Sequence, residues 1–196
     1  MPYIRETILT TVNRAGKVHV APLGIISEKD GWIIAPFRPS TTLDNLAEVP
    51  FAIANYTDDV RVFAGCLTGR KDWPTVAVEG FAVPRIEAAL AHSVLEVAEI
   101  HDDPVRPRHF CRVVSEAMHA PFTGFNRAKA AVVELAILVS RLHMLPRDKV
   151  EAELTYLTIA MDKTAGPEEQ EAWGWLMRRV TDHFADVDAK GKPAKG

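Results

Sequence analysis

The chain has 196 residues, 47% of them hydrophobic, enough to bury a core as one domain or one domain with an appendage. Its net charge of -3 gives no general argument for nucleic acid or an anionic membrane as partner, and its two cysteines, Cys66 and Cys111, lack any CxxC spacing, which argues against a zinc site or a disulfide framework. Met1 to Glu6 lacks the basic start and apolar core of a secretory leader, and the apolar stretch Ala128 to Leu145 is broken by Lys129, Glu134, Ser140, Arg141 and His143, so a soluble, cytoplasmic protein without a membrane span is expected.

Strand-like runs dominate the first 120 residues. Ile4 to Asn13 and Val18 to Ser27 read as two strands joined by the turn Asn13 to Lys17, and Gly31 to Pro36 as a third. A short helix follows Ser40-Thr41-Thr42, and Pro50 to Thr57 is the fourth strand. Asp59 to Thr68 reads as a short helix or irregular turn closed by Gly69. Thr75 to Ile86 reads as one strand with Gly80 as a bulge. Ser93 to His101 and Arg108 to Met118 form a long hairpin around Asp102-Asp103-Pro104-Val105-Arg106-Pro107. Short strands in this number favour a closed barrel, since closure removes exposed edges.

After Pro121 the period becomes helical. Asn126 is a good N-cap for a helix reaching Leu145, where Pro146 stops it. Asp148 starts a second helix ending near Gly166, with Val150, Leu154, Leu157 and Met161 on one face. Pro167, Glu168 and Glu169 suit the first turn of a third. The expected division is a barrel over 1–122, helices over 123–186 and a disordered tail over 187–196, the last rich in Lys and Gly.

The most informative stretch is Phe37-Arg38-Pro39-Ser40-Thr41-Thr42-Leu43-Asp44-Asn45-Leu46, which follows an apolar strand. First-turn amides have no partner within a helix, and hydroxyls and a guanidinium beside them suit a phosphate group. An ordinary capped helix with a solvated Arg38 fits the same spacing. No GxGxxG after a strand, Walker loop, GxSxG or HExxH occurs, so a nucleotide dehydrogenase, an NTPase, an α/β-hydrolase and a zinc peptidase lose support.

Four segments, Glu6-Thr7-Ile8-Leu9-Thr10-Thr11, His19-Val20-Ala21-Pro22-Leu23-Gly24, Arg38-Pro39-Ser40-Thr41-Thr42-Leu43-Asp44-Asn45 and Phe125-Asn126-Arg127-Ala128-Lys129-Ala130-Ala131-Val132-Val133-Glu134, occur in an order that resembles the DUF447 family. That family is a branch of the flavin reductase-like superfamily, and the resemblance runs to about Phe184. It implies a mainly β (α+β) fold, an FMN-binding split β-barrel with a C-terminal helical region, acting as a homodimer that completes its flavin site across a two-fold interface. It also implies that Arg38, Ser40, Thr41 and Thr42 hold the FMN phosphate, with Asn45 toward the ribityl chain or ring, where a helix-surface amide is the plain alternative. His19, Ala21, Pro22 and Leu23 would pass along the ring, and Asn55 and Thr57 would reach it from the end of the fourth strand.

Asn126, Arg127 and Lys129 add a further candidate set. Two cations at a helix start oppose the macrodipole unless an anion is present, which points to the cofactor phosphate or a substrate carboxylate. The hairpin residues His101, Arg106, Arg108, His109 and Arg112 either draw in an anionic substrate or form a solvated loop. The functional expectation is an FMN-dependent oxidoreductase acting on a small anionic or heteroaromatic substrate, since a flavin carries its own redox chemistry. Association of the family with tetrahydromethanopterin users extends this to pterin or one-carbon metabolism. A flavin carrier without turnover, and a structural or regulatory dimer, are the alternatives. No catalytic side chain is assigned, and no metal is expected.

Overall fold

The β-tolerant run from Ile4 to Val12 forms a strand with Leu9 on one face and Ile8 and Val12 on the other, and both faces are covered. The computed structural model describes residues 2–190. In chain order the elements are β1 (Ile4–Val12), β2 (Val18–Glu28), β3 (Gly31–Ile34), α1 (Thr41–Glu48), β4 (Phe51–Tyr56), α2 (Val60–Leu67), β5 (Thr75–Val78) and β6 (Phe81–Ile86). β7 (Ala91–His101), β8 (Arg108–Met118), α3 (Arg127–Ser140), a 3-10 turn at Leu142–Met144, α4 (Arg147–Thr164) and α5 (Pro167–Lys190) complete the chain.

Six strands close an antiparallel barrel in the order β1-β2-β3-β8-β7-β4. A single cluster holding Leu9, Ile25, Ile34, Ala52, Leu95 and Cys111 draws on all six, so these side chains fill the interior, and Leu46 of α1 joins them. Each fully buried Leu or Ile side chain contributes about 1.5–3 kcal/mol, so this layer stabilises the barrel. Thr75 to Ile86 is not one strand. Glu79 and Gly80 form a two-residue turn, with Gly80 at φ +80, and the segment folds back as a β5–β6 hairpin of its own. Gly80 therefore makes a turn rather than a bulge, because a tight hairpin needs positive φ there. Val83 of β6 packs on Val12, Ile53 and Val94, and the Thr10 hydroxyl donates to the Pro84 carbonyl at 2.6 Å.

The chain forms two compact units. One comprises the chain up to Asp58 with Lys71–Thr123; the other comprises Asp59–Arg70 with the chain from Gly124 onward. The helix α2 thus departs from the expected grouping of residues 1–122. Its Val60 and Ala64 are buried in one core with Ala131, Leu135, Val150, Leu157 and Leu176. Helix α3 stops at Ser140, earlier than expected, and α5 continues beyond Asp186 to Lys190. Its last turns are held by Arg147, which bonds Asp188 at 3.2 Å and lies 4.7 Å over the Phe184 ring. The rest of the expected tail, 191–196, lies outside the described residues. Among the described residues no helix is long and apolar enough to cross a membrane.

Candidate functional site

Strand β2 pairs with β1 at every position from Val18 to Ile26, but with β3 only at Ile26, Ser27 and Glu28. Among the described residues no strand pairs with the far edge of Val18–Ile25. Register separates the predicted residues of β2 into two faces: His19, Ala21 and Leu23 sit opposite Thr11, Leu9 and Thr7, while Pro22 sits opposite Ile8. The first three therefore share the interior face of the sheet, and Pro22 the outer one. A cleft of about 450 Å³ borders the same strand at Val18 and Val20, walled by Lys71 to Thr75. Burial, and then the charge of Lys71, lower the pKa of His19 below its ordinary value.

The loop after β3 carries the second part of the site. Ser40 is the N-cap of α1 by backbone geometry, but its hydroxyl makes no capping hydrogen bond. Its carbonyl accepts the amides of Leu43 and Asp44 at 3.0 and 3.1 Å. The amides of Thr41 and Thr42 find no acceptor among the described residues, so α1 presents two unfilled donors at its positive end. Arg38 lies in this loop, half exposed, with Nη2 donating to Asp102 Oδ1 at 2.7 Å and Nε to the Asp103 carbonyl at 3.2 Å. Those bonds use two of the five guanidinium hydrogens and leave both on Nη1. Arg38 is neither simply solvated nor fully consumed.

Asn45 is not a helix-surface amide. It is 5% exposed and its Nδ2 donates to the Thr11 hydroxyl at 3.0 Å, tying α1 to β1. Asn55 is also spent internally. Its Nδ2 lies within hydrogen-bonding distance of the Ile8 carbonyl, the Thr10 hydroxyl and the Ile53 carbonyl, and its Oδ1 accepts the Ile86 amide at 2.9 Å. Both ends of this fully buried amide are engaged within the barrel. Thr57 donates its hydroxyl to the Ala88 carbonyl at 2.7 Å.

Asn126, Arg127 and Lys129 lie in the helical unit, so the two predicted sets belong to different units. Asn126 caps α3 fully: its Oδ1 accepts the amides of Ala128 and Lys129 at 2.8 and 3.1 Å, and its Nδ2 donates to the Thr164 carbonyl at 3.0 Å. The Thr164 hydroxyl accepts from Ala128 as well, at 3.0 Å. The amides of Ala128 and Lys129 are therefore occupied. Arg127 is exposed, and the first turn has no acidic residue.

The hairpin tip was legible only as a loop, and its aspartates were not read as site residues. Asp103 Oδ1 accepts the amides of Val105 and Arg106, the Arg38 amide donates to the Val105 carbonyl at 2.9 Å, and Arg106 Nε donates to the Ala35 carbonyl at 2.7 Å. The tip thus grips the loop that leads into α1. The hairpin's positive groups are largely answered by neighbours: His101 bonds Glu99 at 2.6 Å and Arg112 bonds Glu96 at 2.9 Å, beside a cleft of about 720 Å³. His109 is buried, its Nδ1 has no partner among the described residues, and burial, only partly offset by a backbone hydrogen bond with Ile34, lowers its pKa.

A closed antiparallel barrel of this strand order, with a helix opened by the loop after β3, is the fold of the flavin reductase-like split barrels. The chain belongs to the family described as protein of unknown function (DUF447), whose N-terminal domain matches residues 5–120 and whose C-terminal domain matches residues 126–178. An FMN-bound protein of that family from Methanosarcina mazei is 18% identical with a TM-score of 0.77, over 90% of this chain and 94% of that one. The 2-nitrobenzoate 2-nitroreductase of Pseudomonas fluorescens is 20% identical with a TM-score of 0.50, over 60% of this chain and 64% of that one. A flavin reductase is 17% identical with a TM-score of 0.51, over 58% and 78%. No curated protein matches the sequence.

Proposed function

We propose that the protein binds FMN and works as an oxidoreductase on a small anionic or heteroaromatic substrate. The observation that carries this reading is the α1 start, where Ser40 leaves the amides of Thr41 and Thr42 without acceptors in the loop that holds Arg38. Unfilled donors, a hydroxyl and a guanidinium fit a phosphate dianion. In this reading Arg38, Ser40, Thr41 and Thr42 hold the cofactor phosphate, and the edge of β2 that no strand continues offers backbone groups of Ala21 to Leu23 to the ring. Burial and then Lys71 both disfavour the His19 cation. Asn45 keeps α1 seated on β1 and so positions the donors.

FMN, when bound, accepts and returns electrons through its ring, so the protein's tasks are orientation, charge compensation and water exclusion. The FMN-bound family member supports this choice of cofactor. A homodimer, with the flavin at its two-fold interface, belongs to the same proposal, as does a place in pterin or one-carbon metabolism. The test is direct. Protein purified in air should be yellow, release FMN identified by mass spectrometry, bleach with a nicotinamide cofactor and recover with an acceptor. Colourless protein that takes up no FMN on titration defeats the reading, and a flavin that binds but never turns over identifies a carrier.

A further inference from the structure

We infer that the end of α2 and one stripe of α5 form a binding site for a phosphate dianion, free or as a monoester. Thr68 follows α2, and Gly69 at φ +89 reverses the chain, so that the amides of Thr68 and Arg70 both donate to the Gly65 carbonyl, at 3.0 and 2.9 Å. The reversal fixes where Arg70 emerges. Its Nη1 donates to the Thr68 hydroxyl at 2.9 Å, and its guanidinium lies 3.8 Å from the centre of the Trp175 ring. An arginine held both by a hydroxyl and by an indole face has already lost much of its rotamer freedom, so less is lost when an anion binds.

On α5, Trp175, Arg178, Arg179 and Asp182 fall at spacings of three, four and seven residues and so share one face of the helix. Together with Thr68 and Arg70 they line a cleft of about 480 Å³, within the size range of small-ligand sites. Three guanidinium groups face one carboxylate there, a local balance of +2 in a chain of net charge -3. Two other arginines of this unit are answered by carboxylates: Arg61 by Asp59 and Glu168, Arg147 by Glu151 and Asp188. Among the described residues, Arg178 and Arg179 form no ion pair. A local charge of +2 matches a phosphate dianion, whereas a carboxylate supplies half that charge and fewer acceptor oxygens.

The experiment titrates the full-length, FMN-saturated protein with inorganic phosphate, glycerol phosphate, dimethyl phosphate and acetate, read by tryptophan fluorescence and by phosphorus NMR. Repeating it in Arg38→Ala protein removes phosphate at the α1 loop from the count, so failure of the FMN reading and failure of this one are distinguishable. Saturable binding of phosphate is expected, at least about tenfold tighter than acetate or the singly charged diester. Glycerol phosphate binding as tightly as phosphate identifies a monoester site, and its exclusion identifies a site for the free ion. Arg179→Ala, at an exposed position, and Arg70→Ala should each weaken phosphate about tenfold, while Asp182→Asn tightens it. Absence of saturation, equal binding of acetate, or phosphate binding untouched by both arginine variants overturns the inference.

Discussion

The Arg38 guanidinium is pinned along one edge by the β7–β8 hairpin, with Nη2 on Asp102 Oδ1 at 2.7 Å and Nε on the Asp103 carbonyl at 3.2 Å. Sixty-four residues separate Arg38 from Asp102, and the contact sets which hydrogens of the guanidinium remain for a ligand. An exposed ion pair of this kind contributes little to stability, so its consequence is orientation.

Replacing Arg38 with Ala therefore separates two ligands. FMN affinity should fall about tenfold to a hundredfold, the effect of losing one charge-assisted hydrogen bond, while riboflavin affinity stays unchanged. Equilibrium dialysis with both flavins checks this. Equal losses for the two would place Arg38 away from the phosphate.

Asn55 joins β4 to β1 and β6 through groups with no exposure to water. Asn55→Ala leaves the Ile86 amide and the Ile8 carbonyl without this partner and opens a small void. A loss of about 2–4 kcal/mol is expected. Urea unfolding of the two proteins measures it, and a loss under about 0.5 kcal/mol would show that the amide is dispensable.

At the α3 start the amides of Ala128 and Lys129 are already filled by Asn126 and Thr164, and no carboxylate balances Arg127 within the first turn. Arg127→Glu should raise stability by about 0.3–1 kcal/mol at low salt and leave FMN affinity unaltered. Thermal melts at two ionic strengths, with flavin titrations alongside, test both parts. A fall in FMN affinity would return Arg127 to the cofactor site.

Acid should destabilise the fold through buried imidazoles. His92 is lowered from its ordinary 6.5 by burial, by His119 with its Nε2 2.8 Å from His92 Nδ1, and by Arg85, with Glu116 opposing. His109 is lowered by burial, against which a backbone hydrogen bond with Ile34 acts, and then by Arg38, with Asp102 opposing. A histidine whose pKa is depressed on folding binds fewer protons folded than unfolded between the two values. Its contribution is therefore complete above about pH 6.5 and is lost as pH falls from there toward the folded value. The melting temperature should drop between pH 7 and pH 5, and less steeply in His92→Gln/His109→Gln protein. Parallel slopes in the two proteins would assign the acid sensitivity to other groups.

What local sequence could settle was settled by period and punctuation. Runs of β-tolerant residues mark β1 and β2, Asn126 caps α3, Pro146 ends the helical run, and Ser40 to Thr42 open α1, because each signal acts within a few residues of itself. The turn at Glu79 and Gly80 was available by the same logic, but the β-prone residues on both sides hid it as one strand. Tertiary structure alone decided the partners. Asn45 finding Thr11, Asn55 finding Ile86, and Arg38 finding Asp102 are contacts across 34, 31 and 64 residues, which no local period encodes. The allegiance of α2 was equally hidden: its apolar face is readable, but only packing shows that Val60 and Ala64 are covered by helices that follow much later in the chain. The physical reason is shared by all of these. A side chain's type states what it must satisfy, and the closure of the barrel and of the helical core determines which distant group satisfies it.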